Sequence, residues 1–147
     1  MILSTKGRYG LKAVFELSMN YGLGPVSLRK ISGKYSISES YLEQLFAKLR
    51  KEGYIETVRG PRGGYLLAME PEKITVGMIL RALEGDITTS ECISKDVCSR
   101  EAICATRVIF EKIENSISDV IDNITLADMQ VKKNILMEET DEQETIS

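Results

Sequence analysis

Residues 26–53 read VSLRKISGKYSISESYLEQLFAKLRKEG, and the fold follows from where the serines fall in this stretch. A serine just ahead of an apolar-periodic run is a helix N-cap, because its side-chain oxygen accepts from a backbone N–H that the first turn leaves unpaired. Ser27 therefore opens a short helix to about Lys34, YSIS makes a tight turn, and Ser38 or Ser40 opens a longer helix that ends at Gly53. In that second helix Leu42, Leu45, Phe46 and Leu49 recur at the three- and four-residue spacing of one buried face. Two helices about so short a turn form a helix-turn-helix.

Working outward toward the start, Ser4 to Tyr21 carries Leu11, Val14, Phe15 and Leu17 with few breakers, Gly10 among them, which predicts a first helix ending near Gly22 to Pro25. On the other side, YIETVRGPRGGYLLA holds two β-prone runs, Tyr54 to Val58 and Tyr65 to Ala68, split by Arg-Gly-Pro-Arg-Gly-Gly. That is a hairpin with a basic tip. Thr75 then caps a helix buried through Val76, Ile79, Leu80 and Leu83 and stopped by Gly85. The expected fold is mainly α with a small β-hairpin wing (α+β): a winged helix-turn-helix over residues 1–84, followed by a long dimerisation helix.

Glu91 to Cys104 has no sustained apolar period and reads as a loop within a segment 85–105. From Thr106 to Asn123 the apolar positions Phe110, Ile113, Ile117, Val120 and Ile124 alternate spacings of three and four, a heptad-like seam. Two heptads suit either a helix folded onto its own domain or a contact between subunits. Since the winged helix is already a complete small core, a second copy is the economical cover. Residues 106–130 are thus expected to form a dimerisation helix and a short C-terminal helix, and the chain a homodimer. Residues 131–147, whose end EETDEQETIS is acidic and lacks large apolar side chains, are expected to be disordered.

The charge is unevenly divided. Between Met1 and Leu67, 11 Lys and Arg face 5 Asp and Glu; from Ala68 onward 8 face 17. A cationic first half points to a polyanionic partner. No apolar run approaches the roughly 20 residues of a membrane span, and MILSTKGRYG lacks the apolar core of a secretory signal, so no membrane association and a cytoplasmic location are expected. With no histidine and no Gly-rich phosphate loop, catalysis has little to work with, and an enzyme is not expected.

With the apolar set of the second helix facing inward, Ser40, Glu43, Gln44, Lys48 and Lys51 stay accessible, and these types suit double-stranded DNA. Gln pairs with adenine, Glu accepts from the cytosine amino group, and Ser and Lys meet phosphate or bases. Ser40, Tyr41, Glu43, Gln44 and Lys48 are the helix candidates. For Glu43 a structural role competes on equal terms, because Ser40-Tyr41-Leu42-Glu43 also fits a capping box. Arg59 and Arg62 flank the Gly-Pro turn of the hairpin, where a long cation can enter a narrow minor groove.

The stretches STKGRYGL and ISESYLEQLFAKLRKEGYIETVRGPRGGYLL, with a three-cysteine loop after the fourth helix, resemble the IscR-type regulators, winged-helix proteins whose superfamily includes CymR and NsrR. The similarity runs from about Ile2 to Thr125. It implies a homodimer joined through the helix around Thr106 to Asn123, base reading at Ser40 and Glu43, and a minor-groove arginine at Arg59. It favours DNA contact over capping at Glu43.

Cys92, Cys98 and Cys104 are evenly spaced, with five residues between each pair. An odd number of close thiols in a cytoplasmic chain reads as metal ligands or redox thiols rather than a disulfide framework. Spacing alone leaves an iron-sulfur cluster, a zinc site, and reactive or merely packed thiols all open. The resemblance implies an iron-sulfur cluster, 2Fe-2S with 4Fe-4S as the alternative, since IscR relatives hold a two-iron cluster through three cysteines in such a loop. Those relatives place a histidine three residues after the third cysteine, where this chain has Arg107; the NsrR branch uses a carboxylate near position 8, where it has Arg8. Glu101, Asp96, Glu91, a serine hydroxyl, or an exogenous thiol or water remain as the fourth ligand. The expected function is a DNA-binding repressor that senses cluster status and controls cluster-assembly genes, with occupancy ordering the Glu91 to Cys104 loop and biasing the spacing of two recognition helices. The alternatives are a CymR-like, cluster-free regulator of cysteine metabolism and an iron-sulfur carrier module.

Overall fold

The computed structural model describes residues 3–87 and 105–146. Three serines start its first three helices. Ser4 accepts from the Lys6 amide at the head of α1 (Thr5–Met19), Ser27 from that of Lys30 ahead of α2 (Leu28–Tyr35), and Ser38 from that of Tyr41 ahead of α3 (Glu39–Lys51). Ser36 adopts the left-handed conformation, φ 54°, which reverses the chain within the few residues separating α2 from α3. The antiparallel strands β1 (Ile55–Val58) and β2 (Gly64–Leu67) pair Ile55 with Leu67 and Val58 with Gly64. Val26 adds one rung, exchanging two backbone bonds of 2.8 Å with Tyr65. A Cβ at Gly64 would strike the Val26 carbonyl, so glycine is required where that rung crosses the hairpin. A 3₁₀ turn (Pro71–Lys73) leads to α4 (Val76–Glu84), which Thr75 caps; α5 (Ala105–Asp122) and α6 (Leu126–Ile146) complete the described elements.

The core lies where α1, α3, α4 and the hairpin converge. Val14 and Leu17 of α1, Ile31 of α2, Leu42, Leu45, Phe46 and Leu49 of α3, Ile55 and Leu67 of the wing, and Ile79 and Leu83 of α4 are buried together. Phe46 also stacks at a tilt on Tyr65, centroids 4.8 Å apart, so α3 and the hairpin share one aromatic contact. Burying a side chain of that size contributes roughly 1.5–3 kcal/mol. Glu16 is only 4% exposed on α1, yet it is paired: Lys34 Nζ lies 2.7 Å and the Tyr35 hydroxyl 3.1 Å from its Oε2. Burial works to raise its pKa, but these hydrogen bonds and the charges of Lys34 and Lys133 prevail and hold it below the usual carboxylate range. Tyr35 is pushed up to about 12 by burial and by the adjoining carboxylate.

The helix α5 is anchored at its C-terminal end. Arg81 of α4 forms a bidentate pair with Asp122 and donates to Ser118 at 3.3 Å, while Val76 N–H donates to the Ile124 carbonyl at 2.8 Å. None of its residues is fully buried. Along the expected seam Phe110 and Ile117 are half-buried, whereas Ile113, Val120 and Ile124 are exposed together with Val108 and Ile109.

Helix α6 departs from expectation, since it continues through Ile146 where an acidic tail was expected to be disordered. Two signals explain it. Thr125 and Asp128 form a reciprocal capping box, with Thr125 N–H donating to Asp128 Oδ2 at 2.9 Å and Asp128 N–H to Thr125 Oγ1 at 3.1 Å. The run beyond contains neither Gly nor Pro and is rich in Leu, Met, Lys, Gln and Glu, all strong helix formers. Its first turns are held by the buried Leu126 and by Gln130, which donates to the Ser18 carbonyl at 2.7 Å. Among the described residues no helix is long and apolar enough to cross a membrane.

Candidate nucleic-acid interface

Helix α3 divides cleanly into two faces. Leu42, Leu45, Phe46 and Leu49 are buried, and Ser40, Glu43, Gln44, Ala47, Lys48 and Lys51 are exposed along one stripe at steps of three and four. Four of the five sequence candidates on this helix, Ser40, Glu43, Gln44 and Lys48, therefore lie side by side facing outward. Tyr41 differs: it is half-buried and meets Tyr9 of α1 edge to face, centroids 6.3 Å apart and planes at 86°. The capping-box reading of Glu43 does not hold. Ser38 is the N-cap, so the third helical position belongs to Tyr41, and Glu43 stands one turn into the helix with its side chain exposed.

The wing projects beside this stripe. Arg59 and Arg62 are both exposed on the turn between β1 and β2. Gly60 has φ 110°, and the Gly63 amide closes the turn on the Gly60 carbonyl at 3.0 Å. A side chain at Gly63 would collide with the Val58 carbonyl, so the tip closes this tightly only with glycine there. Arg50, which the sequence reading did not single out, donates from Nη1 to Thr57 Oγ1 at 3.2 Å. With Arg59, Glu56 and Thr57 it lines an open groove of about 570 Å³. Arg50, three residues after Ala47 and seven after Glu43, borders the same exposed stripe, but its partner Thr57 is revealed only by the packing of β1 against α3.

Cys92, Cys98 and Cys104, with the candidate ligands Glu91, Asp96 and Glu101, lie outside the described residues. Among the described residues there is no group of three or more Cys, Asp or Glu arranged to hold a metal ion. Arg107 is on the first turn of α5, its Nε 2.9 Å from Glu111 Oε1. A guanidinium stays protonated at any ordinary pH and offers only donors, so Arg107 does not fit as a ligand to iron. Three thiols are the right chemistry for three of the four protein ligands of a two-iron cluster; the fourth does not come from this position.

An exposed polar helix stripe beside a basic hairpin, both on one small core, is the architecture of a helix-turn-helix transcriptional regulator. The chain belongs to the Rrf2 family, described as iron-dependent transcriptional regulators, which matches residues 3–132. It is 40% identical over 137 residues to the HTH-type transcriptional regulator IscR of Erwinia tasmaniensis, covering 93% of this chain and 83% of that protein. The structure of T. potens IscR aligns with a TM-score of 0.75 at 44% identity, over 90% of this chain and 88% of that one. CymR of B. subtilis, the global cysteine regulator, aligns at 0.77 and 40% identity, over 88% and 95%. These relatives are transcriptional regulators by name, and the family is one of regulators rather than enzymes.

Proposed function

We propose that the protein is a homodimeric, sequence-specific DNA-binding repressor whose grip on its operator responds to an iron-sulfur cluster, 2Fe-2S in preference to 4Fe-4S, held by Cys92, Cys98 and Cys104. The observation that carries the DNA-binding part is the uninterrupted outward stripe of α3 beside the Arg59 and Arg62 tip. Ser40, Glu43 and Gln44 read base edges in the major groove, while Lys48 meets phosphate. Tyr41 borders the same groove with its phenol edge. Arg59 enters the minor groove, and Arg62 neutralises the adjacent backbone. Two such units, joined through the exposed Ile109, Ile113 and Val120 face of α5, present two recognition helices to a two-fold operator.

When bound, a cluster supplies a redox- and oxygen-sensitive group whose ligands are deprotonated thiolates. The likeness to IscR proteins supports this reading, and it suggests genes of cluster assembly as targets. A second reading, a cluster-free regulator acting like CymR, draws on a structural similarity of equal size and on the Arg107–Glu111 pair. Anaerobic reconstitution followed by visible absorption, acid-labile sulfide analysis and duplex mobility shifts separates the two. Sulfide-to-iron bands, stoichiometric sulfide and a shift that differs between loaded and apo protein are expected. A chain that binds duplex DNA identically in both forms and holds no sulfide is cluster-free.

A further inference from the structure

The carboxylate that ends α4 reaches across to the first turn of α1. Glu84 Oε1 accepts three hydrogen bonds there: from the Ser4 amide at 2.9 Å, the Ser4 hydroxyl at 2.5 Å and the Gly7 amide at 2.9 Å. Amides in the first helical turn have no partner within the helix, and a negative charge beside them is further stabilised by the helix dipole. Burial works to raise the Glu84 pKa, but these hydrogen bonds and the charge of Lys6 outweigh it and keep the group ionised.

Two glycines let α4 side chains lie against the α1 backbone: a Cβ at Gly7 would meet the ends of the Glu84 and Leu80 side chains, and one at Gly10 would run into the end of Leu83. Between these glycines on α1, Tyr9 packs edge to face on Tyr41, the third residue of α3, with the Lys12 ammonium 5.8 Å from the Tyr9 centroid. Ser40 and Glu43 flank Tyr41 on the same first turns. Contacts thus run from the end of α4 through the first turns of α1 to the start of α3.

We propose that Glu84 is a positioning residue for DNA recognition: by clamping the first turn of α1 it fixes Tyr9 against Tyr41 and so sets the angle at which the start of α3 meets the major groove. This rests on the reading of α3 as the DNA-contacting helix. Glu84 touches no DNA. Its contribution is therefore confined to the specific complex, in which base edges demand one orientation of α3, and is absent from non-specific binding, which requires only phosphate neutralisation.

The test uses the full chain with Glu84→Ala, Glu84→Gln, Tyr9→Leu and the Glu84→Ala/Tyr9→Leu pair. The probes are a duplex selected by the wild-type protein from a randomised library and a scrambled duplex, read by fluorescence anisotropy, with thermal unfolding in parallel. Glu84→Ala is expected to weaken the selected duplex about tenfold, equivalent to ~1.4 kcal/mol, while leaving the scrambled duplex and the salt slope unchanged. Glu84→Gln keeps an acceptor oxygen and recovers most of the loss. The double variant is expected to be no weaker than Tyr9→Leu, because both changes break one route. A folded Glu84→Ala protein that binds the selected duplex like wild type, an equal loss on both duplexes, or losses that add in the pair overturn the proposal. Should Glu84→Ala not fold, Tyr9→Leu decides: a folded Tyr9→Leu protein that binds the selected duplex like wild type, or loses equally on both duplexes, overturns the proposal. A wild-type chain that selects no duplex overturns the DNA reading itself, a failure distinct from a wild type that discriminates and a Glu84 variant that does so equally well.

Discussion

Arg50 on α3 donates to the Thr57 hydroxyl on β1 across 3.2 Å, so the recognition helix and the wing are joined by a side-chain bond as well as by the turn at Gly53. The bond braces the helix against the wing. Thr57→Val keeps the side chain's shape and removes its acceptor, so it is expected to weaken duplex binding about threefold, the effect of one hydrogen bond. Salt dependence should not change, since no cation is lost. Arg50→Ala is expected to weaken binding further and to lower the salt slope by about one unit if the guanidinium also meets phosphate. Anisotropy titrations across sodium chloride concentrations check both; an unaffected Thr57→Val protein means the wing needs no such brace.

Glu43 and Arg59 should fail differently. With Ser38 as the cap, Glu43→Ala leaves stability within about 0.5 kcal/mol of wild type, whereas Ser38→Ala costs about 1 kcal/mol. On DNA, Glu43→Ala is expected to change which base is preferred at one position. Arg59→Ala should weaken binding to every sequence tested. Selection from a randomised duplex library, run on both variants, distinguishes these. An identical selected motif from the Glu43 variant removes that side chain from base reading.

The buried Glu16 gives the fold an acid limit. Its folded pKa is depressed, so its contribution to stability is complete above the unfolded value near pH 4.3 and is lost as the pH falls through the lower folded value. Glu16→Gln removes the charge that Lys34 and Tyr35 require and is expected to cost about 1–3 kcal/mol at pH 7. The gap between variant and wild type should then narrow below about pH 4. Urea unfolding at pH 7, 5, 4 and 3 measures it. A gap of constant size across that range assigns the loss to packing rather than charge.

The apolar face of α5 predicts an oligomeric protein. Ile109 and Ile113 are 54% and 42% exposed, one turn apart, on a helix with no fully buried residue. Ile113→Glu places a charge in that face and is expected to turn a dimer into a monomer in sedimentation velocity, with little change in thermal stability of the winged helix. Binding to a two-fold site should drop by at least about a hundredfold, since the second half-site is no longer tethered. A variant that sediments as wild type locates the subunit contact elsewhere.

How much of this was legible beforehand depends on range along the chain. The caps at Ser27, the inward set Leu42, Leu45, Phe46 and Leu49, and the glycines of the wing are local signals, and each element they define is present. The ambiguity between Ser38 and Ser40 was not resolvable by pattern, because both serines precede the same apolar run; Ser36 in the left-handed conformation settles the phase. The start of α6 is encoded locally by Thr125 and Asp128, whereas its acidic end has the composition of a disordered tail and carries no local signal of where the helix stops. Glu84 and Arg50 were invisible for a different reason. Their partners, Ser4 and Gly7 in one case and Thr57 in the other, are found only once helices and strands pack, and no periodicity encodes that.

Arg107, three residues after Cys104, can be used to locate a cluster. Its guanidinium is engaged with Glu111 at 2.9 Å and cannot accept iron. Arg107→His replaces it with a neutral imidazole, an ordinary ligand for iron, on the first turn of α5. If the three cysteines hold a cluster whose fourth ligand is oxygen or exchangeable, that imidazole should compete for the place and slow cluster loss. The expected result is a visible spectrum that decays several-fold more slowly in air than that of wild type, with more iron and sulfide retained per chain after gel filtration. The Glu111→Gln variant, which breaks the ion pair without offering an imidazole, should not share this gain. Equal decay of the wild-type and Arg107→His spectra means that the start of α5 does not face the cluster, and the fourth ligand then has to be sought on the other side of the cysteines.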